Sequence, residues 1–125
     1  MTLDTVTTRV VLGAALLPFL YFAARDQWLH LRARRVPLAE NGVHALLGLI
    51  LAAVIARAFL FEWRFVIAGL AAFAICGAVD EFVFHRGLPA IESDVHAKEH
   101  FALFAFFAVF GLILLANNGL LPRWR

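Results

Sequence analysis

Four apolar runs, separated by short polar or Gly/Pro-containing segments, divide this chain of 125 residues from end to end. The first goes from about Val10 to Ala24 and keeps helical character through Arg25, Asp26, Gln27, Trp28 and His30. A basic stretch, Leu31-Arg32-Ala33-Arg34-Arg35-Val36, leads to Pro37. Proline suits the first turn of a new helix, because the N–H it lacks would have no partner there. The second run then extends to Phe59, and Phe61-Glu62-Trp63-Arg64 forms a tight turn. A third run starts at Phe65, returns to the first side and reaches Arg86, where Gly87-Leu88-Pro89 breaks it. The fourth begins at Pro89 or with Ser93 as N-cap, has its apolar body from Phe101 to Ala116, and stops at Asn117-Asn118-Gly119 before the tail Pro122-Arg123-Trp124-Arg125. No run shows the period-two alternation of a barrel strand, and a membrane-crossing helix needs about 20 residues. The pattern predicts helices over about 8–30, 37–60, 64–86 and 90–116. The expected fold is all-α: one integral membrane domain over 1–125, a four-helix up-down-up-down bundle.

Composition strengthens this picture. Apolar residues make up 63% of the chain and mean hydropathy is +0.85, too apolar for a water-soluble domain of this size. Only Arg9 precedes the first run and no small-residue cleavage site follows it, so that run reads as a retained helix and not as a secretory leader. Cys76 is the single cysteine, which excludes a disulfide within one chain. The arginines flank apolar runs as membrane anchors do, so the small positive balance gives no reason to expect nucleic acid. Arg25, Arg32, Arg34, Arg35, Arg86 and Lys98 fall on the side of the two longer connections, and Arg9, Arg57, Arg64, Arg123 and Arg125 on the other. The local cluster at 32–35 tips the connection side toward the cytoplasm.

The candidate chemistry lies in the histidines. All five, His30, His44, His85, His96 and His100, map to the connection side, and four have a carboxylate four positions earlier: Asp26 with His30, Glu40 with His44, Glu81 with His85, and Glu92 with His96. Residues at i and i+4 lie one above the other on a helix, so each predicted helix presents one such pair in a single direction. Nine acidic residues in the chain give any histidine about a 7% chance of an acid at that offset, so four of five exceeds coincidence even allowing for charges that gather at helix ends. Acids and histidines at helical spacing are the donor set of carboxylate-bridged metal sites in helix bundles. The expected ligands are Asp26, His30, Glu40, His44, Glu81, His85, Glu92, His96 and His100, with Asp80, Asp94 and Glu99 as additional or supporting residues. Two divalent ions are expected, iron first, with zinc or manganese as alternatives.

Ordinary roles compete with this reading. Arg25 could pair with Asp26 and Lys98 with Glu99, and a lone interfacial histidine is usually a headgroup-level residue. Cys76 reads as an apolar filler. Tyr21 and the tryptophans read as packing or interfacial belt residues, and the phenylalanines of the fourth run surround it instead of forming one stripe.

In ligand types the set resembles the integral-membrane di-iron oxygenases of the fatty-acid desaturase and hydroxylase class, which place histidine boxes at the cytoplasmic ends of four helices. Those proteins typically carry eight or more histidines with adjacent His-His pairs, whereas this chain has five, none adjacent, and more carboxylates. In its acids it is similar to ferritin-like di-iron bundles, with their spacing of three replaced by four. The resemblance is one of chemistry only, and what it implies is a metal-dependent oxidoreductase acting on a membrane-dissolved substrate. A zinc hydrolase, a metal transporter, store or sensor, and a haem-binding electron carrier are the alternatives. The expected partners are the lipid bilayer, a lipid-like substrate and a second copy of the chain, since Gly and Ala in the second and third runs permit close helix contact.

Overall fold

In the computed structural model, which describes residues 5–33 and 35–117, the chain is all-α, with no strand among the described residues. Four helices follow one another: α1 (Thr5–Ala33), α2 (Leu38–Phe59), α3 (Trp63–Val79) and α4 (Ala90–Asn117). A five-residue π-helical turn, Asp80–Phe84, continues α3. The segments Thr5–Arg32, Leu38–Phe59, Trp63–Phe84 and Ala90–Asn117 are each long and apolar enough to cross a membrane. A 22-residue segment at ~1.5 Å per residue reaches about 33 Å, just over the hydrocarbon thickness of a bilayer. Large apolar side chains point outward along all four, among them Leu17, Leu49, Ile75 and Phe104. Such a surface calls for lipid as its solvent.

Boundaries move slightly from those expected. Pro37 caps α2 from outside (φ −59°, ψ 148°) instead of occupying its first turn. Its carbonyl accepts from Asn41 N–H at 3.1 Å. Helix α1 continues to Ala33, shortening the basic connection. Helix α3 starts at Trp63, two residues before the expected apolar run, because Glu62 serves as its N-cap residue and its carbonyl accepts from Phe65 and Val66 N–H. Asn118, Gly119 and the basic tail lie outside the described residues, as does Arg34.

The chain forms two compact units. One comprises Leu29–Ala90. In it α2 and α3 are joined by Leu60, Phe61 and Glu62 alone, a link short enough to require antiparallel neighbours. The turn is tight: Phe61 adopts φ 59°, a left-handed conformation uncommon outside glycine. The Arg57 guanidinium closes it with a 2.5 Å hydrogen bond to Glu62. Leu51, Val54 and Ala58 on α2 and Val66 on α3 are buried. A Cβ added at Gly69 would collide with the Val54 side chain, so this glycine is what lets the two helices approach.

The other unit pairs α1, as far as Trp28, with α4 from Ile91 onward. Thr8, Leu12 and Phe19 are buried on α1, and Val95, Ala102, Leu103, Phe106, Phe110 and Ile113 on α4. Steps of three, four and seven place them in one stripe per helix. Phe101 and Phe104 face outward while Phe106 and Phe110 face inward, so the phenylalanines do surround α4.

Candidate metal centre

Three helix ends deliver polar side chains into the unit Leu29–Ala90. His30 lies in the last turn of α1 and Glu40 in the first turn of α2, with His44 one turn later. Asp80 opens the π-helical turn and His85 follows it. His30, Glu40, Asp80 and His85 are buried and His44 is nearly so, with 19% of its side chain exposed. Burying five ionisable groups at helix ends is costly unless they are matched to one another or to an ion.

Their reactive atoms converge. His30 Nε2 is 3.0 Å from Glu40 Oε1, and His85 Nε2 is 3.8 Å from the same oxygen. His44 Nε2 lies 3.0 Å from both carboxylate oxygens of Asp80, and His85 Nε2 is 3.5 Å from Asp80 Oδ2. The Nε2 atoms of His44 and His85 are 3.3 Å apart. One ligand atom from each of His30, Glu40, His44 and His85 fits within a sphere of mutual distances no greater than 4.8 Å. Donors bound at about 2.1 Å around one ion stand about 3.0–4.2 Å from one another, and the pair separations given above, 3.0–3.8 Å, fall in that range. Protons alone satisfy this arrangement poorly. His44 Nε2 carries at most one hydrogen, yet it faces a carboxylate and a second imidazole nitrogen at once, and Asp80 Oδ1 is buried without a hydrogen bond.

The π-helical turn decides which carboxylate enters. In an α-helix the residue stacked with His85 would be Glu81, four positions earlier. Here the His85 N–H donates to the carbonyl of Asp80, five positions earlier, at 3.1 Å. The extra residue in the turn brings Asp80 under His85 and leaves the Glu81 side chain 55% exposed. Single π turns of this kind are frequent at functional sites. Glu81 Oε2 stands 3.6 Å from the far ring nitrogen, His85 Nδ1. That is longer than a hydrogen bond, and the carboxylate stands behind the ring, on the side away from the other donors.

The unit of α1 and α4 has its own group. His96, Glu99 and His100 share one face of α4 at steps of three and four. Asp26 comes from α1, its Oδ2 3.2 Å from His96 Nδ1. One donor atom each from Asp26, His96 and Glu99 lies within 4.8 Å of the others. The His100 ring is centred 4.3 Å from that of His96. Glu92, one turn before His96, is buried.

Neither known protein families, nor curated proteins, nor solved structures offer a match to this chain.

Contacts between helices add to the four i,i+4 pairs read from the sequence. His30 meets Glu40 and Asp26 meets His96, two long-range pairs that i,i+4 spacing did not specify. Asp80, expected only in support, lies among the donors, while Glu81 stands behind His85. Glu99 joins a donor group. Asp94 does not: it is exposed and pairs with Lys98 at 2.6 Å, which takes Lys98 from the Glu99 pairing considered earlier. Arg25, considered for Asp26, donates to Tyr21 Oη at 3.1 Å. Among the described residues, every buried polar or charged side chain (Thr8, His30, Glu40, Asp80, His85 and Glu92) sits at a helix end.

Proposed function

We propose that this chain is a membrane-embedded metalloprotein in which His30, Glu40, His44, Asp80 and His85 hold a pair of divalent ions, iron by preference, and that it oxidises or reduces a membrane-dissolved substrate. The observation that carries the reading is the convergence of donor atoms from His30, Glu40, His44 and His85 within 4.8 Å of one another, with the buried Asp80 carboxylate against His44 and His85. Imidazole nitrogen mixed with carboxylate oxygen suits iron, manganese and zinc, and five donor residues exceed what one four-coordinate ion uses. Two carboxylates neutralise part of the charge of two cations and can bridge them. The metal would supply the electron chemistry; the residues fix its position and exclude water. The Arg cluster at 32–35 favours a cytoplasmic location for this end of the helices.

Three converging imidazoles also favour a second reading, a zinc hydrolase in which Asp80 or Glu40 serves as general base for a metal-activated water. The transporter reading lacks support, since the buried polar residues at helix ends make no path through the spans. The haem reading lacks it too: His44 and His85 Nε2, 3.3 Å apart, are closer than the about 4 Å that two axial nitrogens on one iron require.

The test is metal analysis with an optical spectrum on detergent-purified protein beside His44→Ala. Iron bound to the wild type and lost from the variant, with substrate-dependent oxygen uptake, is the expected result. Zinc alone would transfer the site to the hydrolase, and a wild type that retains no metal after anaerobic iron loading would remove both readings.

A further inference from the structure

We infer that Asp26, His96 and Glu99, with His100 at the edge, form a second divalent-cation site within the unit of α1 and α4. This site has a different character from the one proposed above and does not depend on it. Its donors come from α1 and α4 and all lie within the α1–α4 unit, whereas the other group draws on the ends of α1, α2 and α3. His96 offers Nδ1, the ring nitrogen nearer the backbone, to the same point as Asp26 Oδ2. Glu99 and His100 are one helical turn further along the same face.

Two features give this group the chemistry of a cation site. First, one ligand atom from each of two carboxylates and one imidazole gathers within 4.8 Å, and a divalent cation among them neutralises both acids at once. Secondly, a further imidazole stands beside them: the His96 and His100 rings are centred 4.3 Å apart, 52° apart in plane.

The donor balance predicts which ion it takes. Two carboxylate oxygens and one or two imidazoles hold a larger share of hard oxygen donors than three imidazoles with two carboxylates, and the Asp26 and His96 side chains remain 14% and 15% exposed. Water can therefore complete the coordination. Mn²⁺, Fe²⁺ and Zn²⁺ all fit such a site, with a weaker hold on the ion than in the more deeply buried group.

The experiment counts metal. Detergent-purified wild type, His96→Ala, Glu99→Gln and His44→Ala are loaded with Zn²⁺ alone, desalted and analysed, and Zn²⁺ binding is then titrated calorimetrically. The wild type is expected to show two classes of site. His96→Ala and Glu99→Gln should each lose the weaker class, one equivalent per chain, and keep the tighter one. His44→Ala should do the reverse. Retention of the tight class in Glu99→Gln certifies its fold, and that nearly isosteric change disturbs packing least. Unchanged stoichiometry in both α4 variants, or loss of every equivalent from either, would overturn the second site. Loss of the tight class from the wild type itself would instead count against the proposed function while leaving this site measurable.

Discussion

Replacing Asp80 by Asn should weaken metal binding far more than replacing Glu81 by Gln, although the two are adjacent and Glu81 has the helical spacing to His85. The Asp80 carboxylate is 6% exposed and 3.0 Å from His44 Nε2. Removing one member of a buried, charge-matched set costs roughly 3–5 kcal/mol. If that loss falls on the bound state it lowers affinity by about two to four orders of magnitude. Glu81 approaches the outer nitrogen of His85 at 3.6 Å, and its side chain is 55% exposed. Its removal belongs at the low end of outer-sphere effects, about tenfold. Competition for Zn²⁺ between the purified protein and a chromophoric chelator measures both, and unchanged helical circular dichroism shows that the variants are folded. The outcome that refutes the reasoning is Glu81→Gln losing as much affinity as Asp80→Asn. That would mean the segment after Val79 continues as an α-helix in the membrane and that the π-helical turn does not select the ligand.

Other consequences can be checked in the same preparation. Ligation requires neutral imidazole and ionised carboxylate, so protons compete with the metal. Bound metal should fall as pH is lowered and recover when it is raised, and a metal content that rises on acidification would contradict histidine ligation. Gly69→Ala should destabilise the α2–α3 pair by about 1–3 kcal/mol, since Val54 is buried and β-branched and has little freedom to yield. Thermal unfolding in detergent measures the loss, and Val54→Ala should restore part of it. Asp94→Ala should leave metal stoichiometry unchanged, because its carboxylate is exposed and held by Lys98. A lost equivalent there would bring Asp94 back among the ligands.

The helices were legible in the sequence because each apolar run ends at a physical break. Pro37 precedes α2, Glu62 caps α3, and Gly87, at φ 89°, takes a turn conformation that a side chain would resist. The gathering of histidines was legible too, since the alternation of short turns and longer connections places them all toward one end of their helices. Partner choice was not. His30 with Glu40 and Asp26 with His96 are contacts between residues on different helices, and i,i+4 spacing carries no information about them. Nor does spacing reveal the π-helical turn, which adds a residue to the helix without any glycine or proline to announce it. That one residue exchanges the roles of Asp80 and Glu81. The signal that could have pointed to Asp80 is chemical: an acid next to Val79, inside the apolar run, costs more to leave unmatched than one farther toward the helix end.

The short link between α2 and α3 has a consequence in the order of synthesis. His30, Glu40, His44, Asp80 and His85 all lie between positions 30 and 85 of the chain, and the three-residue connection folds the later two back onto the earlier ones. A nascent chain has therefore produced the whole group before the first residue of α4 is added. If the group binds metal as proposed, capture would begin while the protein is still being inserted, and the ion would then pin α3 against α2 at the end opposite the Phe61 turn. A chain released into the membrane without a metal would have to hold two buried carboxylates close to one another with imidazoles alone to offset them. Metal supply during translation, and not only afterwards, should govern how much folded protein accumulates.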